Sequence, residues 1–140
     1  MSRRSIVSVI ALLCAMTAPA VEVPEKLLNA ISMVESNKKA NAVGDNGKAV
    51  GILQLHKIYV RDVNNILGRR FYSYSDRLNP SKSKAMTVIY LKHYGRAYER
   101  KTGKPATLEV LARIHNGGPN GWSKPATKEY WLKVKKALGQ

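Results

Sequence analysis

One glutamate, Glu35, lies where an acid could take part in chemistry. It follows Leu28 by seven residues and Ile31 by four, so on a helix it continues their apolar stripe. Burial on such a stripe removes water from the carboxyl, disfavours its charged form and raises its pKa. A carboxyl that stays protonated near neutral pH can donate a proton to a glycosidic oxygen. Taken alone, a glutamate at a helix C-terminus is more often simply solvated.

A second candidate, Gln54, lies in the segment Gly51-Ile52-Leu53-Gln54-Leu55. After the turn signal at residues 44–47, the stretch from Ala49 to Leu55 predicts one or two short strands of a hairpin, and alternation would place Gln54 on one face and the two leucines on the other. An amide both donates and accepts hydrogen bonds, which suits sugar hydroxyl and N-acetyl groups. The same pattern also occurs in ordinary hairpins that bind no ligand, so alone it is weak evidence for a site.

A third group, His115 and Asn116, opens the glycine-rich loop that ends at Pro119. Asn116 could hold a ligand group or cap the end of the preceding helix. His115 could line a cleft or be a satisfied core histidine, which is the commoner role of a lone histidine on an apolar face. Each group is weak evidence alone, and their order along the chain is more specific.

In this order the three groups resemble the signature blocks of the soluble lytic transglycosylase (SLT) family, which is related in fold to goose-type lysozyme. The blocks are Glu35-Ser36, residues 51–55 and residues 116–119, and the resemblance spans about residues 24–138. It implies a mainly α (α+β) fold: a lysozyme-like helical domain with a small β-hairpin beside a peptidoglycan cleft. It implies no cofactor, and no C-x-x-C or H-E-x-x-H spacing indicates a metal site.

The resemblance also implies roles for single residues. Glu35 matches the family's general acid, and the expected substrate-binding residues are Ser36, Gln54, His115 and Asn116. His115 is a departure, because the family commonly has Tyr there. Tyr supplies a stacking face and a hydroxyl, of which His can replace only a part. Tyr90 and Tyr130, on neighbouring predicted helices, are possible substitutes.

Two reaction outcomes follow for a cleft of this kind. In a lytic transglycosylase, Glu35 would protonate the bond between N-acetylmuramic acid and N-acetylglucosamine and then deprotonate the sugar's own C6 hydroxyl, which closes a 1,6-anhydro ring. A hydrolytic lysozyme would need a second group to position water, and Asp45 is the candidate. Asp in an Asp-Asn-Gly turn usually serves the turn itself. We therefore favour the transglycosylase outcome.

Five predicted helices must position these residues. The first begins at Pro24, the second ends at Gly68, the third runs from Asn79-Pro80 to about Gly103, and the fourth opens at Thr107. The fifth is expected from about Pro125 to Leu138, with Tyr130, Trp131, Val134 and Leu138 inward. The predicted inward face of the third helix is Met86, Ile89, Tyr90, His93 and Ala97.

The first 20 residues have the layout of a secretory signal peptide. Arg3 and Arg4 precede an apolar run, and Ala18-Pro19-Ala20 offers a cleavage site. We therefore expect residues 21–140 to form one exported domain, periplasmic or secreted, without stable membrane insertion. Cleavage there would also remove Cys14, the single cysteine.

The charge balance is strongly basic, with 24 Lys+Arg against 9 Asp+Glu. Such a field favours an anionic partner, which could be nucleic acid, a membrane surface or the acidic bacterial wall. An export signal favours the wall, so peptidoglycan glycan strands are the expected partner and nucleic acid is not. A basic nucleic-acid-binding protein and a wall-binding protein without turnover are the competing hypotheses, and the oligomeric state is left open.

Overall fold

Five α-helices and a two-stranded sheet form the described part of the protein, residues 19–140 of a computed structural model. The helices are α1 (Glu25–Ser36), α2 (Lys57–Leu67), α3 (Pro80–Thr102), α4 (Leu108–Gly117) and α5 (Thr127–Ala137). Strands β1 (Val43–Gly44) and β2 (Ala49–Val50) pair antiparallel, with Val43 opposite Val50 and Gly44 opposite Ala49. The predicted fold class is confirmed in these elements. The predicted signal peptide falls largely on residues 1–18, outside the described residues.

The helix ends follow the local signals in the sequence. The Asn79 side chain accepts a hydrogen bond from the Lys82 backbone N–H at 3.0 Å and so caps α3. Gly68 and Gly103 end α2 and α3 with φ values of 70° and 68°, a conformation that costs glycine little. The last helix begins at Thr127, two residues after its predicted start at Pro125.

The inward face of α3 differs from the prediction by a small rotation. His93 is exposed, whereas Leu91 and Gly95 are buried. A Cβ at Gly95 would lie 3.0 Å from side-chain carbons of both Leu111 and Val21, so α3 approaches α4 closely at this glycine. Successive helical residues are about 100° apart, so His93, two residues before Gly95, lies on the opposite side of α3 and is exposed.

Of the one or two strands predicted from Ala49 to Leu55, one is confirmed as β2 (Ala49–Val50). Residues 51–54 form a turn, so the predicted alternation is wrong for that stretch. Gly51 has φ 86° and Gln54 has φ 50°, and Val50 and Leu55 are joined only by an isolated bridge. Arg77, which is 7% exposed, donates to the Leu55 carbonyl at 3.0 Å and therefore holds this turn from a distant segment.

The hydrophobic core lies around α4, which packs on α1, α3 and α5. Its fully buried side chains include Leu27, Ile31, Leu53, Leu55, Met86, Leu91, Leu111 and Ile114. Burying an aliphatic side chain of this size contributes roughly 1.5–3 kcal/mol. This core fixes the end of α1, the turn at Leu53 and the end of α4 against one another. No helix within residues 19–140 has the length and apolar character needed to cross a membrane.

Candidate active site

Glu35 is in the last turn of α1, with its carboxylate at the wall of a cleft. Its side chain is 19% exposed. Burial raises its pKa from 4.5 to about 7, against the effect of a hydrogen bond from Tyr130 that lowers it. The Tyr130 hydroxyl donates to Glu35 Oε1 at 2.8 Å, and burial keeps that hydroxyl protonated by raising its own pKa. Glu35 therefore has a substantial protonated population at neutral pH.

His115 is buried beside Glu35, and its hydrogen bonds fix its tautomer. Nε2 is 3.1 Å from the Leu53 carbonyl, which can only accept, so Nε2 carries the proton. Nδ1 then accepts a hydrogen bond from the Tyr59 hydroxyl at 3.3 Å. Burial lowers the pKa of His115 from 6.5 to about 4, so the ring is neutral at pH 7. The 3.7 Å separation of Nε2 from Glu35 Oε1 is therefore not an ion pair.

Three tyrosines line or support the adjoining wall of the cleft. Tyr59 stacks on Tyr90 with ring centroids 3.8 Å apart, and Tyr90 meets Tyr94 edge-on at 4.7 Å. Tyr94 donates a hydrogen bond to Asp62 Oδ2 at 3.1 Å. The stacked and nearly buried rings give the cleft a rigid aromatic side.

The opposite wall comes from the hairpin and the turn that follows it. The Gln54 side-chain N–H group donates to the Ala42 and Gly51 carbonyls at 3.2 and 3.0 Å. Its amide oxygen packs against Gly44, where an added Cβ would lie 2.5 Å from it. In the hairpin turn, Asp45 has φ 48° and its Oδ2 lies 3.1 Å from His56 Nε2.

The cleft encloses about 470 Å³ and brings together four of the five predicted site residues: Glu35, Gln54, His115 and Asn116. Its other lining residues are Asp45, Ala49, Leu55, His56, Ile58, Tyr59, Asp62, Tyr90, Gly118 and Pro119. Asn116 lies inside α4, which is capped by Gly118, so it is not the C-cap.

Ser36, the remaining predicted site residue, does not line the cleft. Its hydroxyl donates to the Ile52 carbonyl at 2.8 Å and to the Ser32 carbonyl at 3.2 Å. It thereby ties the end of α1 to the turn that carries Gln54. Its effect on the site is to position these two elements.

A family model described as "Transglycosylase SLT domain" matches residues 13–137. The chain belongs to this family. The SLT domain is also 35% identical over 85 residues to a lysozyme of Ostrea edulis, an alignment that covers 61% of this chain and 57% of the relative. A lysozyme of Magallana gigas is 48% identical over 44 residues, 31% of this chain and 32% of the relative. The chain thus spans little more than half the length of the first of these relatives.

Among solved structures, the SLT domain is similar to a chain in the crystal structure of Aeromonas hydrophila PliI in complex with Meretrix lusoria lysozyme. The TM-score is 0.68 at 26% identity, over 86% of this chain and 93% of that one. The lysozyme-like fold expected from the sequence is thereby confirmed. The family and the names of the relatives together support a lysozyme-like glycosidase.

Sequence reasoning missed several side chains of the SLT domain's cleft, above all Tyr59 and Asp62. In the sequence Tyr59 fits the apolar face of α2, and its contact with His115 joins residues 56 positions apart. Asp62 gave no signal in the sequence. Within residues 19–140, no cluster of three or more His, Cys, Asp or Glu side chains could hold a metal ion.

Proposed function

We propose that this protein cleaves the β-1,4 bond between N-acetylmuramic acid and N-acetylglucosamine in peptidoglycan, with Glu35 as the general acid. The observation that carries the proposal is the environment of Glu35: a cleft carboxyl with a pKa of about 7, beside a neutral histidine. An acid with a pKa near the working pH is both protonated and able to transfer its proton. Gln54 and Asn116 line the same cleft, where amide groups suit the polar substituents of sugars.

The proposed outcome is that of a lytic transglycosylase, in which Glu35 acts twice. Glu35 gives its proton to the glycosidic oxygen as the bond to C1 breaks. The substrate's N-acetyl oxygen stabilises the positive charge at C1, as in substrate-assisted glycosidases. The Glu35 carboxylate then takes the proton of the C6 hydroxyl, whose oxygen bonds to C1 and closes the 1,6-anhydro ring. The hydrogen bond from Tyr130 stabilises the carboxylate between the two steps.

Hydrolysis by the same cleft is the second candidate, and one observation favours it. Asp45 lines the cleft together with Glu35, so a second carboxylate is available to assist water or to act as a nucleophile. The relatives named above as lysozymes agree with this alternative.

Mass spectrometry of digested sacculi tests both candidates. A transglycosylase releases anhydro-muropeptides, which are lighter by one water than the reducing-end products of hydrolysis. We expect anhydro products, no products from Glu35→Gln, and continued anhydro formation by Asp45→Asn. Reducing-end products that disappear in Asp45→Asn would establish the hydrolase instead. Cleavage by Glu35→Gln at the wild-type rate would refute both mechanisms.

We further propose that the reaction takes place outside the cytoplasm, on glycan strands reached by export. The predicted signal peptide of residues 1–20 supports this location. N-terminal sequencing of the protein recovered from the periplasm or medium tests it. We expect the recovered chain to begin at Val21.

A further inference from the structure

A second groove continues from the cleft, and Ile58 and Asp62 line both. It encloses about 710 Å³. Its other lining residues are Arg61, Asn64, Asn65, Gly68, Arg69 and Arg70, and we call it the arginine groove. Because the two cavities share these residues, a polymer bound in the cleft can extend into the arginine groove.

The loop that carries two of these arginines is held in place by Asn64. The Asn64 side chain accepts hydrogen bonds from the Phe71 and Tyr72 backbone N–H groups at 3.0 and 2.9 Å. It also donates to the Tyr72 carbonyl at 2.9 Å. Gly68, with φ 70°, turns the chain at the end of α2 so that this loop folds back over the helix. Arg69 and Arg70 are thus presented by a built turn.

Side chains of the described residues do not neutralise the three guanidinium groups of Arg61, Arg69 and Arg70. The ion pairs found within residues 19–140 involve other cations. Arg69 contacts the Phe71 ring, with its guanidinium carbon 4.8 Å from the ring centroid. Asp62, the carboxylate at the edge of the groove, accepts its hydrogen bond from Tyr94. A guanidinium presents paired donors that match a carboxylate, so the groove is suited to carboxylate groups.

Carboxylates in peptidoglycan belong mainly to the peptide stems, because the lactyl carboxyl of muramic acid is used to attach the stem. We propose that the arginine groove binds the carboxylates of a peptide stem while the glycan strand lies against Glu35. This inference rests on the proposed function, since it assigns a further part of the same substrate. It predicts that the protein distinguishes strands that carry peptide stems from strands that lack them.

The test compares two triple variants on two substrates. One variant is Arg61→Gln/Arg69→Gln/Arg70→Gln. The control removes the same charge from exposed positions of α5 that line neither cavity, and it is Lys133→Gln/Lys135→Gln/Lys136→Gln. The substrates are glycan strands with intact stems and the same strands stripped of stems by an amidase, with the lactyl carboxyl that this frees capped as its methylamide. Circular dichroism verifies that both variants fold.

For the arginine variant we expect KM on stem-bearing strands to rise about tenfold, from three exposed charge pairs of ordinary strength. The value of kcat should stay constant, and stripped strands should show no change. An equal rise in KM on both substrates would overturn the proposal, as would the same rise in the lysine control. If the arginine variant lost affinity for purified teichoic acid while its KM on stem-bearing strands stayed unchanged, the groove would be assigned to phosphodiesters instead.

A binding measurement separates failure of this inference from failure of the proposed function. In the Glu35→Gln background, calorimetry measures the affinity for a stem-bearing disaccharide and for the same disaccharide whose lactyl carboxyl carries a methylamide in place of the stem. We expect the stem to tighten binding about tenfold, from the same charge pairs, and only when the three arginines are present. Absence of cleavage by the wild-type protein would refute the proposed function alone. No difference between the two disaccharides would refute the arginine groove alone.

Discussion

Replacing Glu35 with Gln should stabilise the protein at alkaline pH and leave its stability unchanged at acidic pH. The folded-state pKa of Glu35 is raised from 4.5 to about 7, so the folded state holds the proton more tightly than the unfolded chain. The stability that this provides is fully present below pH 4.5 and is lost as the pH rises through about 7. At about 1.4 kcal/mol for each tenfold change, the loss amounts to about 3 kcal/mol. Gln is neutral and of similar shape, so it avoids this loss.

Urea unfolding followed by tryptophan fluorescence at pH 4 and pH 8.5 measures the effect. The difference in unfolding free energy between Glu35→Gln and the wild type should grow by about 3 kcal/mol between these pH values, or about 10 °C in Tm. Glu129→Gln removes an exposed carboxyl from α5 and serves as the control; its difference from the wild type should stay constant. The reasoning is refuted if the two Glu→Gln variants show the same dependence on pH.

Two further predictions concern Tyr130 and Gly51. Tyr130→Phe removes the hydroxyl that donates to Glu35 at 2.8 Å. It should therefore raise the pKa of Glu35 by about one unit. The alkaline limb of the kcat/KM profile should move to higher pH by the same amount, and movement to lower pH would contradict the assignment. Gly51→Ala should lower the free energy of unfolding, measured with urea, by more than about 3 kcal/mol, because it adds a clash to the strain of a positive φ. The new Cβ would lie 1.9 Å from the Arg77 carbonyl oxygen. Gly47→Ala has the same φ of 86° with nothing within 4 Å, so it should cost only about 1 kcal/mol, and equal losses in both variants would exclude the clash.

Local backbone signals made most of the fold predictable. Asn79 and Gly68 mark helix ends through groups one to four residues away, and both predictions are confirmed. The turn at Gln54 was not predictable in this way. It depends on Arg77, whose guanidinium donates to a carbonyl 22 residues earlier in the chain. Alternation of polar and apolar residues carries no information about such a distant donor.

The candidate site shows the same division between local and distant contacts. The apolar stripe on α1 was enough to predict a raised pKa for Glu35, and the structure agrees in direction. Its hydrogen-bond donor, Tyr130, lies 95 residues away, and a helix pattern alone does not reveal that this tyrosine faces an acid. The tautomer of His115 likewise depends on the Leu53 carbonyl, 62 residues distant.

Glu35 and His115 share one desolvated pocket and respond to it in opposite directions. Burial raises the pKa of Glu35 to about 7 and lowers that of His115 to about 4, because low polarity disfavours whichever form is charged. Both groups are therefore largely neutral between pH 4.5 and 6.5, the range in which each would be charged or partly charged in water. A neutral His115 cannot form an ion pair that would hold Glu35 ionised, so the acid keeps its proton for the leaving group.

This pairing predicts opposite pH dependences of stability in two single variants. The contribution of Glu35 falls as pH rises from 4.5 to about 7, whereas that of His115 is present above 6.5 and is lost as pH falls to about 4. In the wild type the two nearly cancel between pH 4.5 and 6.5. Glu35→Gln leaves the histidine, so its unfolding free energy should rise with pH across this range, and His115→Gln should show the reverse. Slopes of the same sign in the two variants would mean that the two groups do not share a pocket of low polarity.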